Sequence, residues 1–252
     1  YALNVPVIIV GNIRVGGTGK TPTVLALAER LVAAGFKPGI ISRGYKAQID
    51  KPTEVNSDSK ATEVGDEPTL LASELKPFNV PVWVFHDRIA TANALLAKSP
   101  EVNVIISDDG LQHYRLKRWP AREGGRDIEI VLRDERQEGN GFILPAGPLR
   151  ESAWRARDFT ISMNATSHLD AYVSESPNFT LKAEVQKAYQ LKNPAQKVNL
   201  SDFNGKQILA AAGLGNPNKF FNLLKSSGLT IHSLALPDHY DFSVNPFENR
   251  EE

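Results

Sequence analysis

The sequence predicts an α/β fold: a sheet of mainly parallel strands with helices on both faces. Three observations carry that prediction. Short apolar runs rich in β-branched residues recur at 5–10, 39–42, 80–85, 102–106 and 128–132, the pattern of strands buried on both faces. Segments with helical spacing lie between the earlier of these runs. A glycine-rich loop at 11–19 joins the first strand to the first helix.

Each element follows in order. The strand at 5–10 leads through the glycine loop into a helix over 21–34. Pro22 falls in its first turn, where a missing N–H costs nothing. Leu25, Ala28, Leu31 and Val32 recur at helical spacing, and Gly35 is the stop. The strand at 39–42 completes a βαβ unit. A helix over 68–76, a strand at 80–85, an Ala/Leu-rich helix over 87–98 and strands at 102–106 and 128–132 continue the alternation. Composition changes after about residue 165. There 174–177 reads as loop, 179–185 and 188–191 as a small hairpin, and Asn193-Pro194 as a break. A second α/β pattern follows, with a strand at 207–212, the turn Gly213-Leu214-Gly215, a helix through Phe220, Phe221 and Leu224, and a strand at 229–235. The expected organisation is a core over 1–168, a β linker over 169–198 and a smaller, partial α/β domain over 199–252.

Composition removes several classes. The 252 residues include 41% hydrophobic and 23% charged, a globular balance rather than a disordered one. Lys and Arg number 29, as do Asp and Glu, which disfavours a globally basic nucleic-acid binder. With no Cys, disulfides, thiolate metal sites and cysteine nucleophiles are excluded. The apolar runs fall far short of the ~20 residues of a spanning helix, and no secretory signal is visible. Asn164-Ala165-Thr166 and Asn178-Phe179-Thr180 match the glycosylation pattern and read as chance. Both ends of the sequence read as cut.

The strongest motif is Val15-Gly16-Gly17-Thr18-Gly19-Lys20-Thr21. Glycines let backbone N–H groups curl around phosphate oxygens, and the helix N-terminus that follows favours an anion. Lys20 is placed to reach the β- and γ-phosphates, and the Thr21 hydroxyl to bind Mg²⁺. The strict pattern wants glycine at position 14, where this chain has Arg14. A metal-facing carboxylate should follow another buried strand. Asp108 fills that place, with a solvated Asp-Asp-Gly turn as the competing reading. Asp66 and Glu67 precede a helix, so Asp66 reads either as its cap or as a general base, with a second metal contact also open. Arg43 reads as an anion clamp or a solvated side chain, and His113 as a phosphate neighbour or a structural residue. The loop through Gly139-Asn140-Gly141 and 144–151 suits a binding wall or a plain surface loop. Ala212-Gly213-Leu214-Gly215 lacks the third glycine of a dinucleotide fingerprint and reads as a tight turn. Asp238 and His239 form a polar cluster that suits an acid–base pair. In 115–126, Arg115, Lys117, Arg118, Arg122 and Arg126 against Glu123 give a net +4, a solvated loop or an anionic-membrane patch.

Taken together, these blocks resemble one family, the tetraacyldisaccharide 4'-kinases that phosphorylate lipid A precursors. The resemblance rests on Gly11-Asn12-Ile13 with 15–22, Ser42-Arg43-Gly44-Tyr45, 64–68, Asp87-Arg88, 107–115, Asn140-Gly141 with 144–151, 212–217 and 237–239. It implies a P-loop NTPase-like core, a two-stranded linker and a smaller second domain. It also implies transfer of the ATP γ-phosphate, with Mg²⁺, to the 4'-hydroxyl of a tetraacyl glucosamine disaccharide 1-phosphate. The setting it implies is the cytoplasmic face of the Gram-negative inner membrane. Asp66 becomes the catalytic carboxylate with His239 as its partner, alongside Lys20. Thr21, Glu67 and Asp108 form the magnesium neighbourhood. Asp109, Gln112 and His113 become active-site residues, and Arg43, Tyr45, Asn140 and Arg150 contacts to substrate or nucleotide. The expected partners are the lipid and a membrane surface, with no nucleic acid, and a monomer is expected. The chain departs from the family by lacking its N-terminal membrane helix and a later Thr-Glu-Lys-Asp segment. It also carries an insertion over 119–125, and Tyr240 stands where a second His is often found. A peripheral association is therefore expected, with weak membrane affinity through 115–126. The alternative is a regulatory ATPase switch of the partition or septum-site type. Those proteins carry a signature lysine where Val15 stands, which argues against it.

Overall fold

The computed structural model describes residues 2–44, 47–56, 58–163, 176–182, 187–238, 240 and 245–248. The chain divides into two compact units, Tyr1–Lys182 and Ala183–Glu252.

In the first unit the strands are β1 (Val7–Asn12), β2 (Pro38–Ser42), β3 (Thr53–Val55), β4 (Val82–Val84), β5 (Val104–Asp108), β6 (Ile128–Arg133), β7 (Phe159–Met163) and β8 (Asn178–Leu181). The helices are α1 (Lys20–Ala33), the single turn α2 (Ala61–Val64), α3 (Asp66–Leu75) and α4 (Arg88–Lys98). The strands form one sheet in the order β3-β4-β2-β5-β1-β6-β7-β8. Every pairing is parallel except the edge pair β3–β4. The expected α/β sheet is thus present, with helices on both faces.

Burial on both faces is visible residue by residue. From β1, Ile8 and Val10 pack with Val24 and Ala28 of α1 and Leu71 and Leu75 of α3. Val7 and Ile9 point the other way, toward Ala92 and Leu95 of α4. Because side chains alternate along a strand, a run without polar residues can serve both layers at once. Helix α1 ends at Gly35, whose φ of 86° is left-handed. There Phe36 N donates to Leu31 O at 2.9 Å, which closes the last turn. Helix α4 starts one residue later than the sequence suggests. Asp87 is its cap, accepting from Ile89 N and Ala90 N at 2.9 and 3.1 Å.

Strands β3 and β7 are not anticipated by the apolar runs, and β8 falls on residues expected as one strand of a hairpin. In β7, Thr160 and Ser162 are buried between apolar neighbours, and their hydroxyls meet Ser176 Oγ at 3.0 Å and Asn178 Oδ1 at 3.3 Å. Among the described residues, 179–181 do not pair with 188–190 as the expected hairpin requires. Residues of β8 extend the large sheet instead, parallel to β7.

In the second unit the hairpin is β9 (Lys187–Gln190) with β10 (Asn193–Asn199). Its register shifts between Asn193 and Lys197, where Pro194 has no N–H to donate. The expected break is therefore an irregularity within a strand. Strands β11 (Gln207–Ala212) and β12 (Thr230–Ala235) pair in parallel around α5 (Pro217–Ser226), a second βαβ unit as anticipated. Leu200, Ala210, Ala212, Phe221, Leu224 and Leu229 form its small core. Among the described residues, no helix is long and apolar enough to cross a membrane.

Candidate active site

In an open parallel sheet, ligands bind beyond the carboxyl ends of the strands. Here β1, β5 and β2 are successive neighbours, so Asn12, Asp108 and Ser42, their last residues, converge. Asn12 is fully buried. Its amide donates to Arg14 O at 2.6 Å and Gly16 O at 3.1 Å, which curls the glycine loop. The left-handed positions of that loop are Gly16 and Gly19, at φ 101° and 82°. Position 14 is not one of them, so arginine fits there without strain. Arg14 in fact braces the loop, donating to Arg136 O at 3.2 Å and Gln137 O at 3.1 Å. Arg136, held by Asp134, donates to Gly17 O at 2.9 Å. On another side, Val15 N donates to Pro148 O at 2.9 Å and Arg150 N to Ile13 O at 2.6 Å. The loop is therefore clamped by 134–137 and 148–150, both distant in sequence.

Lys20 is the first residue of α1. Its amine lies 3.4 Å from Asn12 Oδ1 and 3.7 Å from Asp109 Oδ1. Asp109 follows β5 in a left-handed conformation, φ 47°, which aspartate tolerates better than most residues. Burial raises its pKa, but Lys20 and Arg150 outweigh that and hold the carboxyl below its usual range. Arg150 reaches Asp109 Oδ1 at 3.3 Å and Gln112 Oε1 at 3.3 Å, and also bonds Asn12 Oδ1. Gln112 in turn donates to Glu151 Oε1 at 2.6 Å and Asn12 O at 3.3 Å. Lys20, Asp109, Gln112 and Arg150 are thus one network.

Asp108 is buried. Its Oδ2 accepts from Ser42 Oγ at 3.3 Å, and its Oδ1 has no hydrogen-bond partner. Burial pushes its pKa up to about 6, with Glu67 adding to the rise. The carboxylate of Glu67 therefore acts on the same space. Arg88, buried at the start of α4, donates to Asp108 O at 2.8 Å and Phe85 O at 3.2 Å. His113 is half-buried, and burial, then Arg88 and Arg43, push it down to about 4, so its ring is neutral at pH 7. Arg43 is exposed beside this cluster.

Asp66 and Glu67 occupy the first turn of α3, with Gly65 as N-cap and no side-chain capping bond. Gly65, not Asp66, thus holds the N-cap position, and Asp66 is the first residue of the helix. Both are exposed at the helix N-terminus, where negative charge is favoured. Asn140 shapes its own loop, donating to Ala146 O at 3.0 Å and accepting from Phe142 N at 3.2 Å. Thr18 is buried and Thr21 half-buried in the loop and first turn. Tyr45 and His239 lie outside the described residues. In the second unit the Gly213–Gly215 turn is tight, as expected. A Cβ on Gly213 would sit 3.1 Å from Pro237 O, and one on Gly215 3.3 Å from Asp238 Oδ2.

The sequence reading assigned no role to Asn12, Ser42, Arg88, Arg136 or Glu151. For Asn12 and Ser42 a signal existed, since both end a strand. Arg88 and Glu151 lie in blocks that carry the resemblance, and for Arg136 no signal existed. Among the described residues no group of three or more His, Cys, Asp or Glu is arranged around a metal position. Nucleotide-bound Mg²⁺ needs only one or two protein oxygens, with phosphates and water completing its shell. Thr21 and the unpartnered Asp108 Oδ1 suit that requirement.

A glycine loop between strand and helix, a lysine opening that helix and a buried aspartate ending the adjacent strand define a P-loop nucleotide-binding protein. The family model for tetraacyldisaccharide-1-P 4'-kinase matches residues 1–252. A tetraacyldisaccharide 4'-kinase of Polynucleobacter necessarius is 51% identical over 258 residues, covering 96% of this chain and 70% of that protein. Its counterpart in Polynucleobacter asymbioticus is 52% identical over 255 residues, with the same coverage of 96% and 70%. Among solved structures, "apo"-form LpxK from Aquifex aeolicus in complex with ATP matches with a TM-score of 0.77 and 31% identity, covering 99% of this chain and 77% of that one. The chain belongs to the tetraacyldisaccharide-1-P 4'-kinase family.

Proposed function

We propose that this chain transfers the γ-phosphate of ATP to the 4'-hydroxyl of a tetraacylated disaccharide 1-phosphate, a lipid A precursor. The observation that carries the reading is the juxtaposition of Lys20 with Asp109 and Arg150, next to the buried Asp108, at the mouth of a glycine loop. The family membership and the ATP-bound relative support it. The relatives compared above are kinases, which leaves the switch-ATPase alternative without support.

The residues divide the work. Backbone N–H groups of 15–19 and the N-terminus of α1 bind phosphate oxygens. Lys20 neutralises charge on the transferring group. Thr21 and Asp108 would hold Mg²⁺, with Glu67 close by, and the ion would shield the phosphate charge. A sugar hydroxyl is a poor nucleophile, and Asp66 is the carboxylate we assign as its proton acceptor. Arg43, Tyr45 and Arg150 bind anionic groups of substrate or nucleotide, and Gln112 and Asn140 hold the wall they stand on. A neutral His113 can accept or donate one hydrogen bond there without adding charge. The substrate is a lipid, and the setting we propose is the cytoplasmic face of the inner membrane, where the protein acts as a monomer.

The test is radiolabel transfer from ATP to the disaccharide lipid in detergent micelles. Lys20→Ala and Asp66→Ala should each keep the circular dichroism of the parent and lose transfer by about 100-fold or more. Full activity in both variants would overturn the site assignment.

A further inference from the structure

The loop from Gly139 to Arg150 carries an unbroken apolar run, Phe142-Ile143-Leu144-Pro145-Ala146. All five residues are exposed, Phe142 at 62%, Ile143 at 47% and Leu144 at 53%. Folded domains avoid such a run on a water-facing surface unless it meets a partner. The run is held rigidly. Leu144 N donates to Leu149 O at 2.8 Å, Leu149 N to Phe142 O at 3.1 Å and Ala146 N to Ile143 O at 3.1 Å. Asn140 ties Phe142 N and Ala146 O from within. A Cβ on Gly147 would lie 2.3 Å from both Asn140 Oδ1 and Phe142 O, so the turn closes only around glycine. The N–H groups of Phe142, Leu144, Ala146 and Leu149 are thus spent inside the loop, which leaves apolar side chains as much of what it offers outward.

The far end of the same loop, Pro148 to Arg150, borders the site. Pro148 accepts from Val15 N of the glycine loop, Val15 is itself 48% exposed, and Arg150 pairs with Asp109. From Gly139 to Arg150 there is no acidic residue, so nothing there repels an anionic headgroup layer. The basic segment 115–126 is a weaker candidate for that contact. Arg118 lies 3.2 Å from Glu129, and Arg122 lies 3.1 Å from Glu129 and 3.2 Å from Asp158. Two of its cations are neutralised internally.

We infer that the tip Phe142–Ala146 inserts into the interfacial layer of a lipid bilayer and holds the site against the surface that carries the acylated substrate. The inference rests on the kinase reading for its purpose, but membrane insertion is measurable without turnover. The experiment uses vesicles of phosphatidylethanolamine and phosphatidylglycerol and a combined Phe142→Ser, Ile143→Ser, Leu144→Ser variant. Flotation with the vesicles at high salt should fall about tenfold in the variant, the loss expected from removing three interfacial side chains. Transfer to long-chain disaccharide in the same vesicles should fall in parallel, while transfer to a short-acyl disaccharide in detergent stays within about twofold of the parent. Equal flotation of variant and parent overturns the inference. So does equal loss on the detergent substrate, which would make the run part of the site itself. A parent that floats but transfers to neither substrate refutes the kinase reading and leaves the insertion standing. As a check independent of the serine variant, Phe142→Trp should be quenched by lipids brominated on their acyl chains. No quenching beyond that of the parent's own tryptophans overturns the inference as well.

Discussion

Lys20 is held between Asn12 and Asp109 by contacts that run across the sheet from β1 to β5. The motif alone suffices to find Lys20 and Thr21, because glycine spacing and helix position are local properties. Asp108 is legible too, as an acid ending an apolar run. What sequence leaves open is protonation. Burial, Arg88 and Arg43 together push His113 from 6.5 down to about 4. A histidine whose native pKa is depressed binds its proton more tightly when unfolded, so the stability it contributes is intact above the unfolded value. That stability is lost as pH falls from 6.5 toward 4. His113→Gln should therefore flatten the acid limb of a plot of Tm against pH across that window. A limb as steep as the parent's would mean that His113 is charged in the native state. Arg136 escaped the residue reading because a guanidinium carries no signal of its partner.

At the scale of elements, the strands that read correctly are those whose side chains are apolar on both faces, β1, β2 and β5 among them. Strand β7 is illegible in the sequence because it places Thr160 and Ser162 inward, where their hydroxyls meet Ser176 and Asn178. Close packing at the end of β1 gives a direct test. A Cβ on Gly11 would meet Leu111 Cγ at 2.7 Å, so Gly11→Ala should cost about 1–3 kcal/mol by overpacking. Denaturant unfolding measures it, and adding Leu111→Ala should change stability by less than the two single costs combined. The glycine loop is an element supported from outside. Arg136 touches its backbone at Gly17 O. Arg136→Ala should raise KM for ATP by about tenfold and leave kcat within about threefold. A collapse of kcat at unchanged KM would place Arg136 on the transferring phosphate instead.

For the molecule as a whole, Glu129 is a structural hub of the first unit. It is buried, and lies 3.2, 3.1 and 2.9 Å from Arg118, Arg122 and Arg155. These cations hold its carboxyl below the usual range despite burial, which works the other way. Arg155 passes the connection to Glu151 at 2.7 Å, and Glu151 to Gln112 at 2.6 Å, so the network ends at the site. Glu129→Ala leaves these cations without their shared anion and should destabilise by about 3–5 kcal/mol, read as a lowered Tm. A shift of less than a degree would mean that the guanidinium groups find other acceptors. The sequence by itself determined the α/β alternation, the phosphate loop and the acid after a buried strand, because each is written in the spacing of neighbouring residues. Only the tertiary structure decided which charges and which apolar residues remain available. Of the cations that give 115–126 its net +4, Arg118 and Arg122 pair with Glu129 and Asp158, while the run Phe142–Ala146 stays exposed. The physical reason is one of range: periodicity is set by the chain's own geometry, whereas ion pairing and burial act over a few ångströms of space.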